Sequence, residues 1–352
     1  MQQWEKHVRR VEPYAPGEQP REERMIKLNT NENPYPPSPK VEKALKELRA
    51  DTLRLYPDPE AAVLTQAVGD YYGLSREEVF VGVGSDDVLA MAFLTFFNGK
   101  DPILFPDITY SFYDVWANLF RIPYEQLPLR EDFTLDPQDY YRKNGGVIFP
   151  NPNAPTGLEL ELSAIRDILE QNRDVVVIVD EAYVDFGARS ALSLIKEYDN
   201  LLVVQTFSKS RSLAGMRIGC AMGNPRLIRY LNDVKYSFNS YTMDAATLAA
   251  GTAAICDREY FRETVEKIVR TREWTKGELK KLGFSFGDSK ANFIFATHES
   301  CPAEELYQAL RSEHIYVRYF KKPRIDNYLR ITIGTDQEMA VLIDFLKTYL
   351  KK

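Results

Sequence analysis

Lys209 stands in the run Thr206-Phe207-Ser208-Lys209-Ser210-Arg211-Ser212-Leu213-Ala214-Gly215-Met216-Arg217, directly after the apolar stretch Leu201-Leu202-Val203-Val204-Gln205. A lysine carried by a buried strand into a hydroxyl-rich turn can lose its proton, because burial penalises the ammonium form, and the neutral amine attacks carbonyls. Arg217 offers a charged, forked donor that suits an anion such as a phosphate. A polar loop that merely closes a strand has the same local pattern, so the residues around it must decide.

Four other runs bring chemistry to strand ends. Val79-Phe80-Val81 leads into Gly82-Val83-Gly84-Ser85-Asp86-Asp87, which opens a helix. Glycine there allows close backbone approach, and a helix start offers unpaired N–H groups to a phosphate. Such a turn taken alone is more often a simple cap, with Ser85 and Asp86 as the capping residues. The β-branched run Val175 to Val179 ends in Asp180-Glu181-Ala182-Tyr183. An aspartate at the tip of a central strand is costly to bury without a cationic partner, such as a protonated pyridine nitrogen; a helix cap or a salt bridge is the alternative. Phe149-Pro150-Asn151-Pro152-Asn153-Ala154-Pro155-Thr156-Gly157 is dense in turn formers and must be a constrained loop, with room for a cis X-Pro bond. In Asp107-Ile108-Thr109-Tyr110-Ser111, Tyr110 either covers a flat heterocycle or simply packs.

The elements that must position these residues alternate. Apolar runs at 79–83, 103–105, 146–149, 175–179 and 202–204 lack strict alternation, as strands covered on both faces do. Helical stretches at 61–72, 85–97, 111–119 and 163–171 lie between them, which predicts an α/β layer fold whose ligand sits at the carboxyl ends of the strands. The last third reads as a long charged helix over 258–282, strands at 291–295, 315–318 and 328–333, and helices at 302–311 and 336–350. The Pro-rich run 33–39 suits a crossing segment rather than a helix or central strand. The expected division is an N-terminal arm and crossing segment over 1–40 that joins the small domain, a large domain over 41–255, and a small α+β domain over 256–352.

Composition narrows the function classes. The 352 residues are 44% hydrophobic and 27% charged, an ordinary globular balance. A net charge of −6 argues against nucleic-acid and anionic-membrane partners. Three scattered cysteines and three scattered histidines form neither a disulfide framework nor a metal-ligand spacing, so no metal is expected. The first residues carry no apolar signal core and no run of about 18 apolar residues occurs, which points to a cytoplasmic protein.

Taken together, Gly84-Ser85-Asp86, Tyr110, Asn153-Ala154-Pro155-Thr156-Gly157, Asp180-Glu181-Ala182-Tyr183, Ser208-Lys209 and Arg217 occur in the order and approximate spacing of the fold-type I pyridoxal-phosphate-dependent aminotransferases. The segments Glu12-Pro13-Tyr14-Ala15-Pro16-Gly17, Lys27-Leu28-Asn29-Thr30-Asn31-Glu32-Asn33-Pro34 and Tyr56-Pro57-Asp58-Pro59 resemble the histidinol-phosphate aminotransferase family in particular. That resemblance covers nearly the whole chain. It implies a large domain with a mostly parallel mixed sheet covered by helices, a smaller α+β domain, and pyridoxal 5'-phosphate as cofactor. Lys209 would carry the cofactor as an internal aldimine and move the proton at the substrate Cα. Asp180 would pair with the ring nitrogen, Tyr183 would donate to the ring oxygen, and Tyr110 would stack on the ring. Gly84, Ser85, Asp86, Thr206, Ser208 and Arg217 would hold the phosphate, with Tyr56 reaching it from the other subunit of a homodimer. Tyr14, Asn33, Arg318 and Arg330 would bind substrate. The implied reaction is transamination of L-histidinol phosphate with 2-oxoglutarate in histidine biosynthesis.

Ala154 departs from the family pattern, which has an asparagine there that hydrogen-bonds the ring oxygen. Either Asn153 takes that part or Tyr183 carries it alone. An aromatic or broad-range aminotransferase, or a threonine-phosphate decarboxylase on the same scaffold, are the alternative activities. A cofactor-binding regulatory module fused to a DNA-binding domain is disfavoured, since there is no basic region and no room for a helix-turn-helix.

Overall fold

The computed structural model describes residues 2–15, 17–20 and 24–351; Pro16 of the N-terminal motif lies outside them. In chain order the strands are β1 (Ile26–Leu28), β2 (Val79–Val83), β3 (Ile103–Pro106), β4 (Tyr124–Leu127), β5 (Gly146–Pro150), β6 (Val177–Asp180), β7 (Leu201–Thr206), β8 (Ile218–Gly223), β9 (Phe284–Phe286), β10 (Phe293–His298), β11 (Ile315–Tyr319) and β12 (Leu329–Thr332). The helices are α1 (Pro39–Lys46), α2 (Ala62–Tyr72), α3 (Gly84–Phe96), α4 (Tyr113–Phe120), α5 (Leu162–Gln171), α6 (Pro225–Phe238), α7 (Ala245–Cys256), α8 (Arg258–Lys281), α9 (Ala303–Ser312) and α10 (Asp336–Tyr349).

Seven strands form one sheet in the order β2-β8-β7-β6-β5-β3-β4. All neighbours from β7 to β4 pair in parallel, while β8 runs antiparallel to both β2 and β7. The packing explains the missing alternation. Ile148, Ile178, Leu202 and Val204 enter the core under α3, α4 and α6. Val147, Phe149, Val177, Val179, Leu201 and Val203 enter the core on the opposite face with α5. With both faces covered, every position must be apolar.

Among the differences from the sequence expectation, two have a clear physical cause. β6 begins at Val177 rather than Val175, because Val175 is held by its neighbours: its N–H donates to Asn172 O at 3.2 Å and its carbonyl accepts from Asn200 Nδ2 at 2.9 Å. β8 had no clear strand signal, since Gly219, Ala221 and Gly223 weaken it. The small residues are required there. A Cβ on Gly219 would collide with the first turn of α3, so this glycine brings the sheet against that helix start.

A second sheet, β1-β11-β12-β10-β9, is antiparallel except for the parallel pair β1–β11. β1 thus brings the N-terminal segment into contact with C-terminal strands. α8, α9 and α10 supply Ile268, Leu279, Leu306, Leu310, Leu342 and Leu346 to its core. Within α8 the buried Arg272 donates to Phe186 O at 2.8 Å and Ala291 O at 2.9 Å, tying the helix to segments that follow β6 and precede β10.

Candidate active site

Because β3, β5, β6 and β7 are parallel, their carboxyl ends gather at one edge of the sheet. There a cavity of about 220 Å³ is lined by Ser85, Asp86, Tyr110, Pro150, Ala154, Asp180, Ala182, Tyr183, Thr206, Ser208, Lys209, Ala214 and Arg217, with Thr30 and Glu32 from the N-terminal segment. Residues from six parts of the chain meet at this edge. The Lys209 Nζ donates to Thr30 O at 3.1 Å. Burial, with Arg330 nearby, pushes its pKa down to about 8, so the neutral amine is within reach near neutral pH.

Asp180 ends β6 with its side chain buried. Tyr113, the first residue of α4, donates its hydroxyl to Asp180 Oδ2 at 2.8 Å, while Oδ1 is buried without a partner. Burial raises the carboxyl to about 7, and the Tyr113 hydrogen bond works against that rise. Tyr110 stands edge-on to Tyr113, with centroids 5.8 Å apart and planes at 86°. Its hydroxyl donates to Asp86 Oδ1 at 2.7 Å.

One end of the cavity is assembled from α3 and the turn after β7. Gly84 opens α3 with φ 84°, a conformation that suits glycine, and a Cβ there would collide with the Arg217 guanidinium. Arg217 pairs with Asp86 Oδ2 at 3.0 Å and donates to Ser208 Oγ at 3.3 Å. Thr206 donates to Ser208 Oγ at 3.0 Å and accepts from the Ser208 N–H at 3.2 Å, which fixes the first turn of the lysine loop.

Two asparagines of the sequence reading turn away from this cavity. Asn153 spends its amide within its own loop region: Nδ2 donates to Ile108 O at 3.0 Å and Thr156 Oγ1 at 3.1 Å, and Oδ1 accepts from Thr109 at 3.2 Å. It does not line the cavity, so it is not arranged to take over the part of the asparagine missing at Ala154. The loop contains cis bonds at Asn151-Pro152 and Ala154-Pro155. Asn33 donates to Lys209 O at 3.0 Å and Ser210 O at 3.2 Å; it pins the backbone of the lysine loop and does not face the cavity.

Arg330 and Arg318 lie directly opposite each other on β12 and β11. Facing like charges destabilise a strand pair unless an anion joins them. Arg330 donates to Asn29 O at 3.0 Å, its Nε is buried without a partner, and its guanidinium lies over Phe293 and Phe320. Tyr14 stacks on Phe112 with centroids 4.1 Å apart. Tyr56 does not line the cavity within the chain; it is 82% exposed and stacked on Tyr241.

Sequence reasoning missed Tyr113 and Asn31. Tyr113 reads as core, and it is fully buried. Asn31 was seen only as part of a motif, yet its Nδ2 donates to the Tyr183 hydroxyl at 2.9 Å.

Pyridoxal phosphate fits this set of residues. The unpartnered Asp180 Oδ1 offers a carboxylate oxygen to a protonated ring nitrogen. An amine with lowered pKa meets an aldehyde, and a helix start beside Arg217, Thr206 and Ser208 meets a phosphate.

Comparison with known proteins agrees with the geometry. Residues 23–346 match the family described as aminotransferase class I and II. A histidinol-phosphate aminotransferase of Clostridium botulinum (strain Langeland) is 55% identical over 349 residues, 99% of each chain. One from Clostridium acetobutylicum is 55% identical over 344 residues, 98% of each. The crystal structure of histidinol-phosphate aminotransferase from Sinorhizobium meliloti in complex with pyridoxal-5'-phosphate shares the fold, with a TM-score of 0.84 at 24% identity over 93% of this chain and 91% of that one. The chain therefore belongs to the class I and II aminotransferases and, within them, to the histidinol-phosphate aminotransferase family.

Proposed function

We infer that this protein is a pyridoxal-phosphate-dependent aminotransferase that converts L-histidinol phosphate and 2-oxoglutarate to imidazole acetol phosphate and L-glutamate in histidine biosynthesis. The observation that carries this reading is the convergence of Lys209, Asp180, Tyr183 and Arg217 on one cavity in a chain 55% identical to named relatives over its full length.

When bound, pyridoxal phosphate supplies a carbonyl for the amino group and an electron-withdrawing ring that takes up charge developing at Cα. Lys209 would hold that carbonyl until the substrate amino group displaces it, and the neutral Nζ so released would take the Cα proton and return it on the way to product. Asp180 Oδ1 keeps the proton on the ring nitrogen while Tyr113 occupies Oδ2. Tyr183 donates its hydroxyl to the ring oxygen, and Tyr110 covers the ring. Gly84, Ser85, Asp86, Thr206, Ser208 and Arg217 hold the cofactor phosphate. Arg330, with Arg318 and Tyr14, receives the substrate phosphate in one half-reaction, and Arg330 the glutamate α-carboxylate in the other; a forked, charged donor suits both anions.

We further propose a homodimer in which Tyr56 of one protomer reaches the cofactor phosphate of the other. In support, Tyr56 is exposed and stacked on the exposed Tyr241, with exposed Leu53 and Leu55 close in sequence, apolar residues of the kind that mark an interface. A cytoplasmic location accords with the absence, among the described residues, of any helix long and apolar enough to cross a membrane, and with cysteines that are free thiols.

The test is turnover of histidinol phosphate, phenylalanine and threonine phosphate by the cofactor-loaded protein. Glutamate formation with the highest kcat/KM on histidinol phosphate is expected. If phenylalanine alone supports it, or threonine phosphate is decarboxylated instead, the substrate assignment fails.

A further inference from the structure

Asn31 is buried, has φ 56°, and belongs to a closed set of hydrogen bonds. Its N–H donates to Thr332 Oγ1 at 3.0 Å, and the Thr332 hydroxyl donates back to Asn31 Oδ1 at 3.0 Å. Its carbonyl accepts from Asn292 Nδ2 at 3.0 Å. In this arrangement the Thr332 hydroxyl gives its hydrogen to Oδ1, and Nδ2 faces Tyr183. That contact, 2.9 Å to the Tyr183 oxygen, has one allowed direction, because an NH₂ group only donates. The Tyr183 oxygen is therefore an acceptor toward Asn31, and its own hydrogen remains to be given elsewhere. Tyr183 lines the cavity with Lys209, whose Nζ lies 5.9 Å from its ring centroid.

Ala154 also lines the cavity, and its side chain offers no hydrogen-bond donor. Asn153 is committed to Ile108, Thr156 and Thr109. We propose that Asn31 is the positioning residue that compensates for Ala154: by donating to Tyr183 it commits the Tyr183 hydroxyl hydrogen to the cofactor's ring oxygen and strengthens that donation. Donation into a hydroxyl oxygen polarises its O–H, so one contact both aims and reinforces the next. Asn31 is itself held by Thr332 on β12, two residues from Arg330, so the C-terminal sheet sets the hydroxyl that serves the cofactor ring.

This inference rests on the reading of the cavity as a pyridoxal-phosphate site. It does not depend on which amine is the substrate. The readout is therefore the visible absorption of the Lys209-bound cofactor, titrated with pH in the absence of substrate. A donor to the ring oxygen stabilises negative charge there and lowers the pH at which the bound chromophore deprotonates. The charged groups acting on Tyr183 are Lys209, Arg330, Asp180 and Asp86, all unchanged in the variants below.

Asn31→Gly removes the donor, keeps the positive φ and adds no charge. It is expected to raise the absorption midpoint by about half a pH unit or more, the equivalent of one ordinary hydrogen bond. Tyr183→Phe should raise it further, and Asn31→Gly added to Tyr183→Phe should change nothing more. Thr332→Val, which leaves every cavity-lining residue in place, should move the midpoint in the same direction and serves if Asn31→Gly does not fold. An unchanged midpoint in Asn31→Gly or in Thr332→Val, or an equal shift in the Tyr183→Phe background, overturns the proposal. A wild-type protein that forms no lysine adduct at all refutes instead the cofactor reading beneath it.

Discussion

The Tyr113 hydroxyl donates to Asp180 Oδ2 at 2.8 Å and leaves Oδ1 as the carboxylate oxygen without a partner. The same tyrosine stands edge-on to Tyr110, so one fully buried ring from the start of α4 touches both the buried carboxylate and the aromatic that line the cavity. Tyr113→Phe keeps the packing and removes the donor. Asp180 then loses the bond that counters its burial, and its pKa rises further. Its ionised form is populated only at higher pH, so the acid limb of the kcat–pH profile should move upward. Cofactor affinity should fall, and stability should drop by about 1–3 kcal/mol for the unsatisfied buried oxygen. A pH profile, a cofactor titration and a thermal melt check the three effects.

Lys209 is expected to capture the cofactor most readily once its amine is neutral. Burial has lowered its pKa from 10.5 to about 8, so below 8 the ammonium dominates and above it the nucleophile does. The rate of covalent capture by the apo-protein, trapped with borohydride at a series of pH values, should rise with pH and level off above about 8. A rate that keeps rising towards pH 10 would show an ordinary solvated lysine.

Arg330 and Arg318 face each other across β12 and β11, and each should matter to a different extent in the two half-reactions. Arg330→Gln should lower kcat/KM for both histidinol phosphate and 2-oxoglutarate by roughly 10- to 100-fold, hydrogen bonds to charged groups being worth about 1.5–3 kcal/mol. Arg318→Gln should fall chiefly on the phosphorylated substrate. Steady-state kinetics on each half-reaction separates the two; an equal loss on both substrates from Arg318→Gln would contradict the division of labour.

Tyr56 should act across subunits. A variant carrying both Lys209→Ala and Tyr56→Ala, mixed and re-equilibrated with wild type, should lower specific activity more than dilution alone, because each mixed dimer then holds one site without its lysine and one without its tyrosine. Activity that falls only in proportion to the wild-type fraction would place Tyr56 outside the partner's site. Co-purification of untagged variant subunits with affinity-tagged wild-type subunits checks that subunits have exchanged.

The residues that gather at the cavity were legible because their signal is local. An apolar run that ends in Asp180, Lys209 or Gly84 marks a strand end, and parallel strands covered on both faces bring their carboxyl ends together. The order of those runs, through the family resemblance it carries, pointed to Lys209, Asp180, Tyr183 and Arg217, all of which line the cavity, and the turn residues around Pro150 to Gly157 marked a constrained loop.

The partners of those residues were not legible, because a hydrogen bond depends on distance in space and leaves no pattern along the chain. Tyr113 meets Asp180 across 67 residues, Asn31 meets Tyr183 across 152, and Thr332 closes on Asn31 across 301. Asn153 and Asn33 have the right chemistry in the right motifs, yet the folded chain spends both on backbone and neighbouring hydroxyls. Sequence by itself determined which groups stand at the strand ends. Tertiary structure alone decided which oxygen of Asp180 is left open and which way the Tyr183 hydrogen is free to point, since each buried polar atom must find a partner wherever the fold places one.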